Sequence, residues 1–456
     1  MKIVSIILAV AICLALLGGC KSTDDTPYGA TQFMSYAGPV FPLMALNGAD
    51  GITATRAVTF DFMGFGETRT TADGLQMYHN DIRIADSYIL TNNTPYDTTI
   101  AVLYPFSGSL AQLDKLRPAV TVDGDAIATQ LIVGSLSGGF ALDTITSWQG
   151  YVDLLSGGNY LSRAMQASAP VGLPVIVYEF SNIHSDFTRG EAPSLAASFD
   201  IDFERSTVLT FGFNGLHLVT DVGFMRHALF VPQAGGYRYD RSAYLVVIGD
   251  DIGVMSIQGY ENLGLHPGQE LDDVTADVTR FETTLSEILQ HLLNDFSDSG
   301  WLLETDALDK SLLYDASMEL LVSYGALSNT IAFLRYRSGC LFEIFNAAHL
   351  MERVFFLSPA MINIPAGESV SIRAEFIKPG SFDFPSMSQG NEGVNGYDIL
   401  TRLDGSLQLT GLTAEILGSQ YIEIVRQNFG VAPDSAVLSS ALDFDEPHHF
   451  IEVRTR

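Results

Sequence analysis

The sequence predicts a mainly β fold, with several antiparallel β-sandwich-like regions and an α-helical insert late in the chain. Three observations carry this. Apolar residues recur at every second position through much of 51–282 and again after 351, the period of a half-buried strand. Turn-forming clusters such as Asn92-Asn93-Thr94-Pro95 and Asp123-Gly124 punctuate these runs. Between 281 and 296 the apolar period changes to that of a helix.

Taken in order, Ile52, Ala54, Val58, Phe60 and Phe62 share one face of a strand, with Arg56 as the exception. Ile82, Ile84, Tyr88 and Leu90 alternate, the Asn-Asn-Thr-Pro turn follows, and Ile100, Val102, Tyr104 and Phe106 resume. The two runs read as an antiparallel hairpin. Asp123-Gly124 predicts a second, tighter hairpin, because this pair accepts the positive φ such a turn needs. No helix-period segment longer than 110–116 interrupts the first region. Residues 135–170 are rich in Gly and Ser, with Trp148 and Tyr151 in a short amphipathic piece, and read as a connector. Strands are then expected at 174–180, along Leu195, Ala197, Phe199, Ile201 and Phe203, at 207–213, and as a short piece at Val274, Ala276 and Val278. The near-continuous apolar run 244–248 suits a strand buried on both faces.

Phe281, Leu285, Ile288, Leu289, Leu292, Leu293 and Phe296 form one helical stripe, and Thr284 with Glu287 has capping-box spacing. Further helices are expected over 311–327, with Gly325 near the end, and over 339–350. Strands return at 354–357, 361–364, 370–376, 405–409, 421–429 and 448–453. The expected organisation is 1–19 leader, 20–50 lipidated tether and extended segment, 51–140 β-sandwich, 141–170 connector, 171–282 second β region, 283–350 helical insert and 351–456 C-terminal β region. The strands flanking the insert could share a sheet.

The 456 residues allow two to four domains. Lys plus Arg total 24 against 53 Asp plus Glu, a formal charge of −29. This argues against nucleic acid as a partner and against electrostatic docking on anionic lipid. Three cysteines exclude a disulfide-stapled scaffold and a cysteine-rich zinc module.

Lys2 precedes an apolar run, 3–17, broken only by Ser5. The run is short of the roughly 20 residues that span a bilayer and has the length of a signal-peptide core. It ends in Leu17-Gly18-Gly19-Cys20, which resembles the lipobox of bacterial lipoproteins. The resemblance implies cleavage between Gly19 and Cys20 and a diacylglycerol thioether on Cys20, with further acyl chains such as palmitate. Each buried CH₂ then contributes about 0.8 kcal/mol to anchoring. An ordinary leader with a chance cysteine is the alternative. Lys21 stands where an aspartate would be associated with inner-membrane retention in Gram-negative cells. The expected location is the outer, extracytoplasmic face of a bacterial cell membrane, with the membrane as partner through the anchor and an unknown extracellular or envelope ligand. Cys13 leaves with the leader, so Cys340 is a lone thiol in an apolar setting, read as buried and inert.

Ser87-Tyr88-Ile89-Leu90-Thr91-Asn92, Leu103-Tyr104-Pro105-Phe106, the block 247–253 with Gln258-Gly259-Tyr260, Gly396-Tyr397-Asp398 and the block 423–430 are similar to blocks in a group of uncharacterised secreted or lipid-anchored proteins of Gram-positive bacteria. The blocks cover much of 30–456. The resemblance implies one integrated multidomain protein with an extracytoplasmic home. It supplies no catalytic, metal or cofactor residue.

No HExxH, GxSxG, P-loop or CxxC occurs. Gly64-Phe65-Gly66 lacks the third glycine of a dinucleotide fingerprint. Asp250-Asp251 at the end of a buried strand read first as a solvated turn, and Asp123 with Asp125 as a hairpin rather than a calcium loop. Glu179, Asp200 and Asp202 lie on or beside strands. His448-His449 are strand neighbours that point to opposite faces and cannot readily share a metal. His291 reads as a helix-surface residue. The expectation is therefore a non-enzymatic binding or structural surface protein, with no catalytic residue, metal ligand or cofactor assigned. The alternatives are an extracytoplasmic hydrolase using Glu179, Asp202, Asp250 and Asp251 as acid and base, and a solute-binding lipoprotein.

Overall fold

Strand Ile52–Asp61 lies between two partners, running antiparallel to Ile82–Asn92 and parallel to Gln408–Leu417. The computed structural model to which this belongs describes residues 36–47, 49–72, 74–136, 147–158, 172–186, 193–232, 241–262, 270–298, 309–327, 339–359, 361–381, 393–403, 405–431 and 438–456. The leader, Gly19, Cys20 and the polar tether lie outside the described residues, as does most of the Gly/Ser-rich connector.

The sheet grows to seven strands through Ser369–Lys378 and the hairpin Ala119–Val122/Asp125–Ala126 on one flank and Leu438–Ala441 on the other. The hairpin turns on Asp123 and Gly124, both at positive φ, as expected. Burial alternates along the central strands, so one face is buried and the other is wet. The buried face is covered by two smaller sheets. One holds Val394–Leu400, His448–Thr455 and Ile422–Gln427, and the other Met44–Ala45, Val102–Gly108, Arg353–Pro359 and Thr129–Leu136. Phe60, Ile84 and Ile416 pack with Tyr397, Ile451 and Val453, while Tyr104 meets Phe376 edge-on. Segments 51–140 and 351–456 thus build one sandwich together.

The hairpin expected between the runs at 82–90 and 100–106 does not form. Asn92 does organise a turn, its Oδ1 accepting from the Thr94 amide at 2.9 Å. The chain then crosses to the opposite layer, where Val102–Gly108 pairs with Arg353–Pro359. Alternation marks a strand with one buried face, and a strand facing its predecessor across a core satisfies it as well as one beside it.

Residues 36–45 form an extended strap that joins the two covering sheets. Val40 bridges Ile399 of the one, and Met44–Ala45 pair with Val102 and Leu103 of the other. Arg56 lies beneath this seam, 2% exposed. Its guanidinium donates to both carboxylate oxygens of Asp86 (2.9 and 2.8 Å) and to the carbonyls of Val40, Phe41 and Leu400. The Tyr88 and Tyr104 hydroxyls also donate to Asp86 Oδ2. The one charged residue on an apolar face is therefore paired and hydrogen-bonded, as a buried charge must be. Burial works against the cation, but Asp86 outweighs it and holds Arg56 above its ordinary pKa.

The second β region, 174–284, is a separate pair of sheets. One contains Ser206–Phe211, Ala243–Gly249, Pro174–His184 and Thr275–Thr284. The other contains Gly215–Val219, Phe224–Phe230, Ser194–Asp200, Met255–Tyr260 and Glu270–Leu271. Phe180 meets Phe213, and His227 lies between Phe213 and Phe199, joining the layers. All of Ala243–Ile248 is buried, as the apolar run implied. The last strand is ten residues long, not short, and Phe281 belongs to it rather than to the helix stripe. It passes directly into helix Leu285–Ser297, whose Thr284–Glu287 capping box is present.

Helices Leu285–Ser297, Lys310–Ser323 and Leu341–Leu350 cover the outer face of the first of these sheets. Phe211 meets Phe342 and Phe345, and Phe296 meets the same two rings. The largest core cluster runs from Leu90 and Tyr104 through these helices to Val246. The strands flanking the insert, Thr275–Thr284 and Arg353–Pro359, fall in different sheets. Cys340, immediately before Leu341–Leu350, is half-buried rather than buried.

Candidate functional site

The candidate carboxylates separate by face. Tyr178 and Glu179 are successive residues of Pro174–His184, so their side chains leave the sheet on opposite sides. Glu179 pairs with Tyr244 in register and shares its helix-covered face. There Ser242 Oγ donates to Glu179 Oε1 at 2.7 Å, Tyr244 OH reaches the same oxygen at 3.3 Å, and His291 Nε2 is 3.1 Å from Tyr244 OH. Burial pushes the Tyr244 phenol up to about 12, so it remains a neutral donor. Arg241 caps the end of the helix carrying His291 by donating to the carbonyls of Asp295 and Asp298. The result is a relay from an exposed imidazole through a phenol to a half-buried carboxylate. His291 contacts Tyr244 rather than Ser242, so the serine lacks the adjacent imidazole base of a nucleophilic site.

On the opposite face Asp251 accepts from Tyr178 OH at 2.5 Å and from Arg280 Nε at 3.0 Å. Burial raises its pKa, but these two hydrogen bonds outweigh that and hold the carboxyl below its ordinary range. Burial, then Asp251 itself, pushes Tyr178 up to about 12. Asp250 forms an exposed ion pair with Arg205. Asp202 Oδ1 accepts from the Glu204 amide at 3.0 Å and closes a turn, and Asp200 ends its strand in solvent. Gly249 adopts φ 101, and a Cβ there would collide with the Arg205 carbonyl, so a glycine is required where this turn packs. Asp202, Asp250 and Asp251 gather at one end of the sandwich. Glu179 lies on the other side of its sheet from Asp251.

A third group had no sequence assignment. Asp398 is 1% exposed; its Oδ2 accepts from Tyr151 OH at 2.7 Å and lies 2.9 Å from His448 Nε2. Its Oδ1 has no hydrogen-bond partner among the described residues. Lys378 Nζ donates to the Ala37 carbonyl at 3.2 Å, and burial lowers its pKa to about 8 against the pull of Asp398 and Glu352. Burial raises Glu352 to about 7. Beside them Arg426 lies over Trp148 and Phe450 and pairs through two nitrogens with Glu452, which also accepts from Tyr36 OH at 2.6 Å. Both clusters hold the strap and helix Trp148–Gly157 onto the three-stranded sheet. His449 turns the other way, to the Asp443 carbonyl, so the two histidines diverge as expected.

A cleft lined by Pro39, Phe41, Pro105, Leu116, Phe376 and Lys378 opens beside the strap. It is too small to enclose a small-molecule ligand. Among the described residues no three His, Cys, Asp or Glu side chains are placed to hold a metal ion. No described helix is long and apolar enough to cross a membrane. No protein-family model and no curated protein matches the chain.

Proposed function

We propose that this is a lipid-anchored protein of the bacterial envelope, tethered through Cys20 to the outer face of the cell membrane, and that it binds or scaffolds rather than catalyses. The anchor half rests on the order Lys2, apolar run, Gly18-Gly19 and Cys20. The binding half rests on one observation: Glu179, Asp202, Asp250 and Asp251 are each engaged by the fold, as hydrogen-bond acceptors or ion-pair partners. The best-placed alternative is a hydrolase that uses Glu179 as its acid or base.

Feeding cells an alkyne analogue of palmitate tests the anchor. Wild-type protein should label, and Cys20→Ser should not. Wild-type protein that stays unlabelled removes the anchor. Against a panel of glycans and peptides, the wild type should show no turnover. Turnover that disappears in Glu179→Gln would establish the hydrolase instead.

A further inference from the structure

Strand Thr275–Thr284 is a ten-residue edge, and none of its residues is buried. One side pairs with Pro174–His184, in unbroken register from Asp277 to Thr284 and with a register shift between Asp277 and Thr275. Among the described residues no strand pairs with its other side. Several other edges are protected. Ser206–Phe211 is bridged by Cys340, Ile422–Gln427 is interrupted by a register shift, and Leu438–Ala441 has four residues. Thr275–Thr284 has no proline and no register shift of this kind over 277–284. An edge of this sort offers a row of outward N–H and C=O groups to an extended chain.

Charge selects the occupant. Between 270 and 287 stand Glu270, Asp272, Asp273, Asp277, Glu282 and Glu287 against Arg280 alone. Arg280 is already paired with Asp251 and Glu282. A second copy fits badly, because self-pairing sets one acidic edge against another of the same sign. Each copy also carries −29. We infer that Thr275–Thr284 is a docking edge for a cationic extended segment of a partner protein, which adds to the sheet as a further antiparallel or parallel strand. This rests on the binding reading above and names its partner class. It does not depend on the lipid anchor.

The test is hydrogen–deuterium exchange on the full chain in mild detergent. The probe is a synthetic decapeptide alternating lysine with threonine and valine. Amide exchange over 275–284 should slow by about tenfold or more at saturation. N-methylation of alternate peptide residues should abolish the effect, as should glutamate in place of lysine, because the edge needs both backbone donors and positive charge. Asp277→Lys with Glu282→Lys should weaken binding at least about tenfold, with far-ultraviolet circular dichroism reporting that the fold is intact. No slowing over 275–284, or equal binding by the N-methylated peptide, overturns the proposal. Protection without peptide in a dimeric species assigns the edge to a second copy and also overturns it. Palmitate labelling and the turnover assay are independent of these outcomes, so failure here leaves the anchor and the absence of catalysis standing.

Discussion

Two sandwiches, the outer one in sequence order (51–140 with 351–456) and the central one (174–284), solve the same packing problem with different chemistry. The outer sandwich buries charge: Arg56 with Asp86, Arg353 with Glu319, and Asp398 with His448 and Tyr151. The described core of the central sandwich holds His227 between two phenylalanines and is otherwise largely apolar. The two sandwiches also differ in chain order. The central strands all lie within 174–284, and neighbouring segments find one another easily. The outer sandwich must select partners from both halves of the chain, and buried ion pairs can specify a register that apolar contacts leave open.

The strongest test removes the cation under the seam. Arg56→Met leaves Asp86 buried with only the two tyrosines, and should cost about 3–5 kcal/mol in urea denaturation. Arg56→Met with Asp86→Leu should recover much of that loss. A single variant within about 1 kcal/mol of wild type would show that the ion pair does not hold the strap.

The central sandwich should instead respond to acid. Burial lowers the His227 pKa to about 3, while the unfolded chain keeps about 6.5. The unfolded state therefore binds the proton first. Stability should fall as pH drops from about 6.5 toward 3, by about 2 kcal/mol at pH 5. Carboxylates elsewhere contribute to any acid titration, so the readout is the difference between wild type and His227→Leu, which should be less sensitive between pH 6.5 and 4. Parallel curves would mean that His227 is not kept neutral.

A smaller effect is expected where the central strands meet the helices. Thr284→Ala removes the side chain that accepts from the Glu287 amide and should cost about 1 kcal/mol. Faster exchange should begin in 285–297, with the outer sandwich unchanged. Uniform loss across both sandwiches would show that the shared core couples them through the helices.

Much of the β pattern was legible because alternation and turn chemistry are local. The Thr284–Glu287 box, the Asp123-Gly124 hairpin and positive φ at Gly325 all follow from a few adjacent residues. Strand partners were not legible, as Ile82–Asn92 and Val102–Gly108 show. Gly215–Val219, Phe224–Phe230 and Met255–Tyr260 escaped notice because His217, Arg226, His227 and Gln258 interrupt the apolar period. At the strand–helix junction Phe281 satisfies both periods, and only the backbone separates them. Among candidate site residues Glu179 was identified from its type and place, but its separation from Asp251 is a property of the sheet. Asp398 and Lys378 were not identified. Their one signal was a charge inside an apolar strand, the same signal that singled out Arg56.

The parallel pairing of Thr53 with Gln408 also sets an order of assembly. The two strands are about 350 residues apart, and contacts this remote in sequence close late. A chain delivered amino end first can complete the central sandwich while strand 52–61 still has one edge open. During that interval a half-built sheet is exposed, and edges of this kind attract chaperones and wrong partners alike. The strands that close the outer sandwich follow the central one in the chain, so a chain truncated before 408 should retain a folded 174–284 sandwich with the outer one incomplete.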